Sequence, residues 1–393
     1  MTEQNAHHTT RVVVIGGGYA GVLAANRLRQ RRGVDITLVN PRPEFVERIR
    51  LHQLVAGSDD AVVDFADILG PGIELVVDAA TRIDTAARQV ELFTGAPLPY
   101  DYLIYAVGSG SGGPNVPGAD EFAYPIGDLE EAKRLAARLD ELHYGAPVCV
   151  VGAGPTGIET AAELAEQGRT VTLVCGPVLG PYLSTPGRRS VTKRLRKLGV
   201  EIVDGPGAMV GAVESDAVLL DGGRRLPSAV TIWTAGFGVP DLASRSGLRT
   251  DAIGRLLTDE TLTSIDDGRV VAAGDCAAPS GEPLRMSCQA ALPLGAQAAN
   301  TVLARIAGEP PAPIRQAFTG QCISLGRGAG TIQIARTDDT ALPLYIGGWT
   351  AAKIKEAICT ATVSGLRREA RKPGAYVWLK GGNRTGAEAA AVR

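Results

Sequence analysis

An α/β fold built from two dinucleotide-binding units is predicted by three observations. A β-branched run, Arg11-Val-Val-Val-Ile15, ends in Gly16-x-Gly18-x-x-Gly21 and passes straight into Ala- and Leu-rich helix-forming sequence. The same strand–turn–helix order returns at Val148-Cys-Val-Val151, with Gly152, Gly154 and Gly157 in the three glycine positions. The interval from Gly16 to Gly152 is 136 residues, and in both halves a second strand and a later strand-to-glycine crossover follow, so the chain reads as an internal duplication. In such a turn the first glycine allows the tight bend, the second lets a pyrophosphate approach the backbone, and the third lets the helix pack on its strand. The helix N-terminus then offers free N–H groups and its positive dipole end to the phosphates.

At 393 residues the chain has room for two or three domains with substantial cores. Hydrophobic residues make up 45% and the formal net charge is −2, a balance that suits a soluble α/β protein and gives no sign of a nucleic-acid partner. Residues 1–10 are polar and read as a disordered tail, not a signal peptide. Met286 to Ala304 carries no charge, but Ser287, Gln289, Pro293, Gln297 and Asn300 point to a buried helix and not a membrane span. The six cysteines show no CxxC spacing, so neither a zinc framework nor a disulfide framework is expected, and no metal site.

Taken in order, the first glycine helix runs to about Arg31 and the next strand, Asp35 to Asn40, ends where an acidic side chain commonly holds an adenosine ribose. Asn40 offers a hydrogen bond there without the charge, or serves as a turn residue before Pro41. Arg42, Arg48 and Arg50, near His52, either reach cofactor phosphates or lie in solvent. Alternation in Ile73–Val77 and Gln89–Phe93 predicts short antiparallel strands. Asp101 to Ser109 predicts a strand running into a glycine-rich loop, Gly108 to Gly113, followed by a linker with Pro114 and Pro117. Asp128-Leu-Glu-Glu131 has the form of a capping box for a helix to about His143. The second unit continues to the strand Val171–Val174, then Cys175 and Gly176. An acid there would favour an unphosphorylated ribose and an arginine a 2′-phosphate; neither is present, and Arg188 and Arg189 lie downstream. Ala229 to Gly236 repeats the strand-then-glycine form that ends at Gly108.

Arg269-Val-Val-Ala-Ala-Gly-Asp-Cys-Ala277 makes the pattern specific. A strand ending in Gly274-Asp275, well after the second glycine unit, resembles the flavin motif of the FAD-dependent pyridine nucleotide oxidoreductase superfamily, in which the Gly-Asp carboxylate receives the flavin ribityl chain. The resemblance spans roughly Arg11 to Gln333. It implies FAD on Gly16, Gly18, Gly21, Asn40, Arg48, Gly108, Gly274, Asp275 and Gln289, and NAD(P)H on Gly152, Gly154, Gly157 and Gly236. It also implies two Rossmann-like domains, an NAD(P)H-binding domain at 116–239 inserted in a discontinuous FAD-binding domain at 11–115 and 240–310, with a small C-terminal segment at 311–393.

Within the superfamily, disulfide reductases carry a cysteine pair soon after the first ribose-binding strand and a histidine near the C-terminus. Here residues 40–70 contain no cysteine and the last histidine is His143. Trp233 to Ala243 and Cys322 to Gly326 are similar to type II NADH dehydrogenases and apoptosis-inducing factor-like proteins. The quinone-linked Ala-Gln-x-Ala-x-Gln segment of those dehydrogenases corresponds to Cys288-Gln-Ala-Ala-Leu-Pro293, which keeps the first Gln and has Pro in place of the second. The implied activity is NAD(P)H dehydrogenation through flavin to a quinone-like small acceptor, with Glu159 near the nicotinamide and Gln289 near the flavin or acceptor as catalytic candidates. A reductase for a ferredoxin- or rubredoxin-type protein and a redox-sensing binding protein are the alternatives. Lys353 to Arg368 reads as a basic amphipathic helix, with Ile354, Ile358, Ala361 and Leu366 on one side and Lys355 among the polar positions, packing on the body or lying on a membrane surface. The expected location is cytoplasmic or peripheral on the inner membrane face, with an oligomer possible.

Overall fold

A computed structural model describes residues 9–113, 115–382 and 384. The expected tail at 1–10 lies outside the described residues up to position 8, and Thr10 already opens the first strand. In chain order the elements that frame the site are β1 (Thr10–Ile15), α1 (Tyr19–Leu28), β2 (Val34–Asn40), α2 (Leu51–Val55), β3 (Ile73–Val77), β4 (Tyr102–Tyr105), β5 (Ala123–Pro125), α3 (Leu129–Asp140), β6 (Pro147–Val151), α4 (Pro155–Glu166), β7 (Thr170–Gly176), α5 (Thr185–Lys197), β8 (Glu201–Asp204), β9 (Val230–Trp233), β10 (Val270–Ala272), α6 (Cys288–Ala307), β11 (Gly320–Ser324), β12 (Gly330–Ala335), β13 (Ala341–Gly347) and α7 (Gly348–Arg371).

Two five-stranded sheets repeat one plan. The first has the order β10-β4-β1-β2-β3 and the second β5-β9-β6-β7-β8. The strand before each glycine turn is central, and every neighbour pairing in the two sheets is parallel. Central strands of this kind are buried on both faces, which is why β1 and β6 are near-continuous Val and Ile runs. The last strand of the first sheet, β10, arrives only after the whole second sheet has been made. The outward and returning connections, Gly110–Ser111 and Phe237–Gly238, pair antiparallel between the two sheets.

Sequence reasoning placed Ile73–Val77 in an antiparallel pair. It is instead a parallel edge strand on β2, from Ile36↔Ile73 to Asn40↔Val77. Its alternation arises because an edge strand is half exposed, and alternation carries no information about direction. Gln89–Leu92 does pair antiparallel, with Ala80–Asp84. The capping box is present: Asp128 Oδ1 accepts from the Glu131 N–H at 2.8 Å and Glu131 Oε2 accepts from the Asp128 N–H at 3.2 Å. Beyond the second sheet, β11, β12 and β13 form an antiparallel sheet against which α7 packs.

Each sheet has its own core. Leu51, Val55 and Ala61, from the first half of the chain, join the second core, as do Ile323 and Leu325 from the C-terminal segment. These two intrusions seat α2 and β11 on α4. The stripe of α7 that packs inward is Ala351, Cys359, Thr362, Val363, Leu366 and Ala370, while Ile358 and Ala361, expected on the apolar side, are exposed. Lys355 falls within the inward stripe.

Candidate active site

Both glycine turns are built the same way. Gly16 has φ +103°, and a Cβ there would stand 2.3 Å from the Ala106 carbonyl oxygen; one at Gly21 would stand 1.8 Å from the Gly16 oxygen. In the second turn Gly152 has φ +140° with Thr234 Oγ1 2.1 Å from where its Cβ would be, and Gly157 is pressed on the Gly152 oxygen at 2.3 Å. Gly16, Gly21 and Gly157 are forced by backbone contact, and Gly152 by its positive φ and the Thr234 hydroxyl. The middle ones, Gly18 and Gly154, would carry a Cβ with nothing within 4 Å. Each is the open mouth of a cradle at a helix N-terminus, a shape and charge that fit a dinucleotide pyrophosphate.

Around the first cradle two predicted residues, Arg48 and Asp275, converge through Ser109, which sequence reasoning did not name as a site residue. The Arg48 guanidinium donates to Ser109 Oγ at 2.8 Å, Ser109 Oγ donates to Asp275 Oδ2 at 2.7 Å, and Arg48 lies 3.7 Å from that carboxylate. Asp275 follows β10, Ser109 follows the Gly108 turn after β4, and Arg48 follows β2, so the late return of β10 assembles this cluster. Gly108 and Gly274 have φ of +70° and +79°, which only glycine adopts at little cost. Asn40 braces the glycine turn: its Oδ1 accepts from the Gly17 N–H at 2.9 Å and its Nδ2 donates to the Arg42 carbonyl at 2.7 Å. Arg42 pairs with Glu130, and Arg50 is buried with Gln53, Glu356 and Asp59, so Arg48 alone of the three turns toward Asp275.

The helix α6 begins behind Ser287, whose Oγ accepts from the Ala290 N–H. The Gln289 side chain is anchored, accepting from the Thr319 hydroxyl at 2.7 Å and donating to the Gly320 carbonyl at 3.1 Å. Pro293 stands inside this helix and has no N–H to give the Gln289 carbonyl one turn back. The Gln316 amide donates to that carbonyl at 3.0 Å instead.

Glu159, one turn into α4, is 5% exposed and meets three partners. Its Oε1 lies 3.0 Å from Lys355 Nζ and accepts from the Ser324 N–H at 2.9 Å, while Oε2 is 3.8 Å from His52 Nδ1. Burial pushes its pKa up, but the Lys355 ammonium, with the Ser324 N–H, outweighs this and holds it below the usual carboxylate range. For Lys355 burial acts downward and Glu159 reverses it, leaving the ammonium above its ordinary pKa. The two shifts agree on an ionised pair. Burial drives His52 down to about 4, so it is neutral. Lys355 also donates to the Cys322 carbonyl at 3.4 Å and feels Cys288 and Cys359.

Glu159 therefore sits in a polar cluster that brings together α4, α2, β11 and α7. Sequence reasoning put Lys355 among the polar positions of its helix without a partner, and missed Ser324 and the role of His52. A signal was present for Lys355: it is one turn from Ala351 and one from Cys359, a lone lysine on the inward stripe of its helix. The six cysteines are unbridged, and the described residues hold no cluster of metal-binding side chains.

The pyridine nucleotide-disulphide oxidoreductase family model matches residues 10–295. An NADH dehydrogenase-like protein of Mycobacterium tuberculosis is 33% identical over 347 residues, covering 81% of this chain and 86% of the relative. The type II NADH:quinone oxidoreductase of the same organism is 30% identical over 351 residues, covering 77% and 74%. Among solved structures, the sulfide:quinone oxidoreductase of Aquifex aeolicus superposes with a TM-score of 0.79 over 92% of each chain at 22% identity, a likeness of fold. Two glycine cradles on repeated sheets, a Gly-Asp return strand and these matches agree: the chain is an oxidoreductase of the pyridine nucleotide-disulphide oxidoreductase family.

Proposed function

We propose that the chain is an FAD-dependent NAD(P)H dehydrogenase that passes electrons to a quinone or similar small acceptor without a redox-active disulfide. The observation that carries this reading is the buried Glu159–Lys355 pair, set between the second glycine helix and the C-terminal segment with no cysteine pair following β2. The names of the mycobacterial relatives agree with it.

The first cradle would hold FAD, with Gly18 admitting the pyrophosphate and Asp275, Ser109 and Arg48 on the side of the flavin chain. The second would hold the nicotinamide dinucleotide over Gly154. The flavin supplies two-electron acceptance from NAD(P)H and onward transfer; the protein supplies orientation and field. The first turn of α6 presents N–H groups and a positive dipole end, which stabilise negative charge at its tip. Lys355 is cationic in a dry setting, where it stabilises charge developing on an acceptor oxygen, and Glu159 fixes both its charge and its direction. Reduction of a quinone by NAD(P)H takes up one proton from solvent for each quinol formed.

The C-terminal segment supports a peripheral membrane contact. Leu344, Tyr345 and Ile346 of β13, with Trp349 and Ile358 of α7, are exposed, and Lys353 lies over the Trp349 ring. No helix among the described residues is long and apolar enough to cross a membrane. Anaerobic stopped-flow of the flavinated protein with NADH or NADPH, then with a quinone analogue, tests the activity. Rapid bleaching followed by rapid reoxidation is expected. Bleaching that quinones do not reverse would overturn the acceptor and leave a protein acceptor or a sensing role.

A further inference from the structure

We infer that Asp204, on the strand beside the usual one, selects the nicotinamide cofactor and makes this chain prefer NADH to NADPH. The inference rests on the proposal that the second cradle takes a nicotinamide dinucleotide. In such folds the adenosine ribose lies over the tip of the strand that follows the glycine helix, where a carboxylate receives the 2′-hydroxyl or an arginine receives a 2′-phosphate. That strand is β7, and its tip is Cys175-Gly176, with neither group.

The neighbouring strand supplies the missing charge. β8 runs parallel to β7, and its last residue, Asp204, is the register partner of Gly176. Parallel neighbours lie about 4.8 Å apart, so the Asp204 backbone stands one strand spacing from the place the pattern leaves empty. Its reach toward that place is visible: Asp204 Oδ2 accepts from the N–H of Leu179, in the loop that leaves β7, at 3.4 Å, and its charge is felt by the Cys175 thiol. Asp204 is exposed and has no cationic partner among the described residues. The side of Gly176 is lined by Met209, whose Sδ is 3.0 Å from where a Cβ would be.

The arginine that could have reversed this preference is turned away. Arg188 donates to the carbonyls of Leu179, Leu183 and Gly180 at 2.8, 3.1 and 3.4 Å, so its guanidinium is occupied in bracing the loop. Arg189 is exposed on α5. A ribose hydroxyl over β7 thus meets a carboxylate that no cation neutralises among the described residues, whereas a 2′-phosphate brings about two negative charges beside it. Repulsion of that kind in a partly solvated site corresponds to roughly a 10- to 100-fold loss of affinity, and salt screens it.

The test uses the FAD-loaded protein and two probes without a nicotinamide ring, ADP-ribose and 2′-phospho-ADP-ribose, titrated by calorimetry. ADP-ribose is expected to bind at least about tenfold tighter in low salt, with the gap narrowing as salt rises. Asp204→Asn should shrink the ratio toward unity, mainly by tightening the phosphorylated probe, and the NADH:NADPH ratio of flavin-bleaching rates should move with it. Equal binding to the native protein, tighter binding of the phosphorylated probe through Arg189, or an unchanged ratio in Asp204→Asn overturns the assignment of Asp204 while leaving the cradle intact. If neither probe binds, the dinucleotide reading of the cradle falls, and this inference with it.

Discussion

At the scale of single residues, the buried charges divide into a matched pair and a mismatched carboxylate. Glu159 and Lys355 satisfy each other, so removing one partner leaves the other charged and dry. Lys355→Met should cost about 3–5 kcal/mol of stability, whereas Glu159→Gln with Lys355→Met should recover much of that loss without restoring turnover. Denaturant midpoints of the FAD-loaded variants measure it, and a double variant no more stable than the single one would refute the pairing. One turn along α4, Glu163 is 2% exposed and its Oε1 has no hydrogen-bond partner; burial raises its pKa to about 7 against the pull of Arg327, 3.8 Å away. The folded state therefore holds a proton between about pH 4.5 and pH 7 that the unfolded chain releases, and stability falls as pH rises through that window. Glu163→Gln should flatten this fall, by up to about 3 kcal/mol at pH 8, in melts run from pH 5 to 8. At the first cradle Asp275→Ala should lower FAD retention after gel filtration, with Ser109 and Arg48 left facing each other; full flavin content would remove Asp275 from the site.

At the scale of elements, close approach decides what is replaceable. The helix α6 crosses α1 at Gly295, where a Cβ would stand 2.2 Å from the Ala20 carbonyl oxygen and 2.8 Å from its Cα. Backbone cannot yield as a side chain does, so Gly295→Ala should destabilise by roughly 3 kcal/mol and weaken flavin retention, since α1 carries the first glycine turn. A variant with an unchanged melting temperature would show that the two helices slide freely. Sequence pattern read the glycine turns and the capping box well because each depends on residues within a few positions of one another. The Gly-Asp ending of its strand likewise singled out Asp275, which the structure sets against Ser109 and Arg48. Lys355 was not, although its place on the helix stripe was available, because its partner Glu159 comes from a helix almost two hundred residues earlier. Nor was the direction of β3: a half-exposed strand alternates in the same way whichever way its neighbour runs.

For the whole molecule, the two repeated sheets set out the two glycine cradles, and the C-terminal segment lies outside that repeat. The duplication was legible because strand order, turn and crossover recur at one interval. The segment after it has no counterpart in the first half, so repetition gave no guide to which of its faces packs inward. β11 joins the second core through Ile323 and α7 joins the first through Leu366, which leaves β13 and the start of α7 outside both. There Leu344 is 61% and Trp349 66% exposed, with Tyr345, Ile346 and Ile358 also exposed, and Lys355 is less than two turns of helix from Trp349. A lipid-soluble acceptor would thus leave a bilayer close to the buried pair. Burying a large apolar side chain is worth about 1.5–3 kcal/mol, and Lys353 adds attraction to anionic lipid, so the face should suffice for reversible binding. Leu344→Ser with Trp349→Ser should abolish sedimentation with phosphatidylglycerol-containing vesicles and slow reduction of a long-tailed quinone. Flavin bleaching by NADH and reduction of a water-soluble quinone should stay within a few-fold of the native protein. Unchanged vesicle binding in this variant would place any membrane contact elsewhere and leave the exposed face without that role.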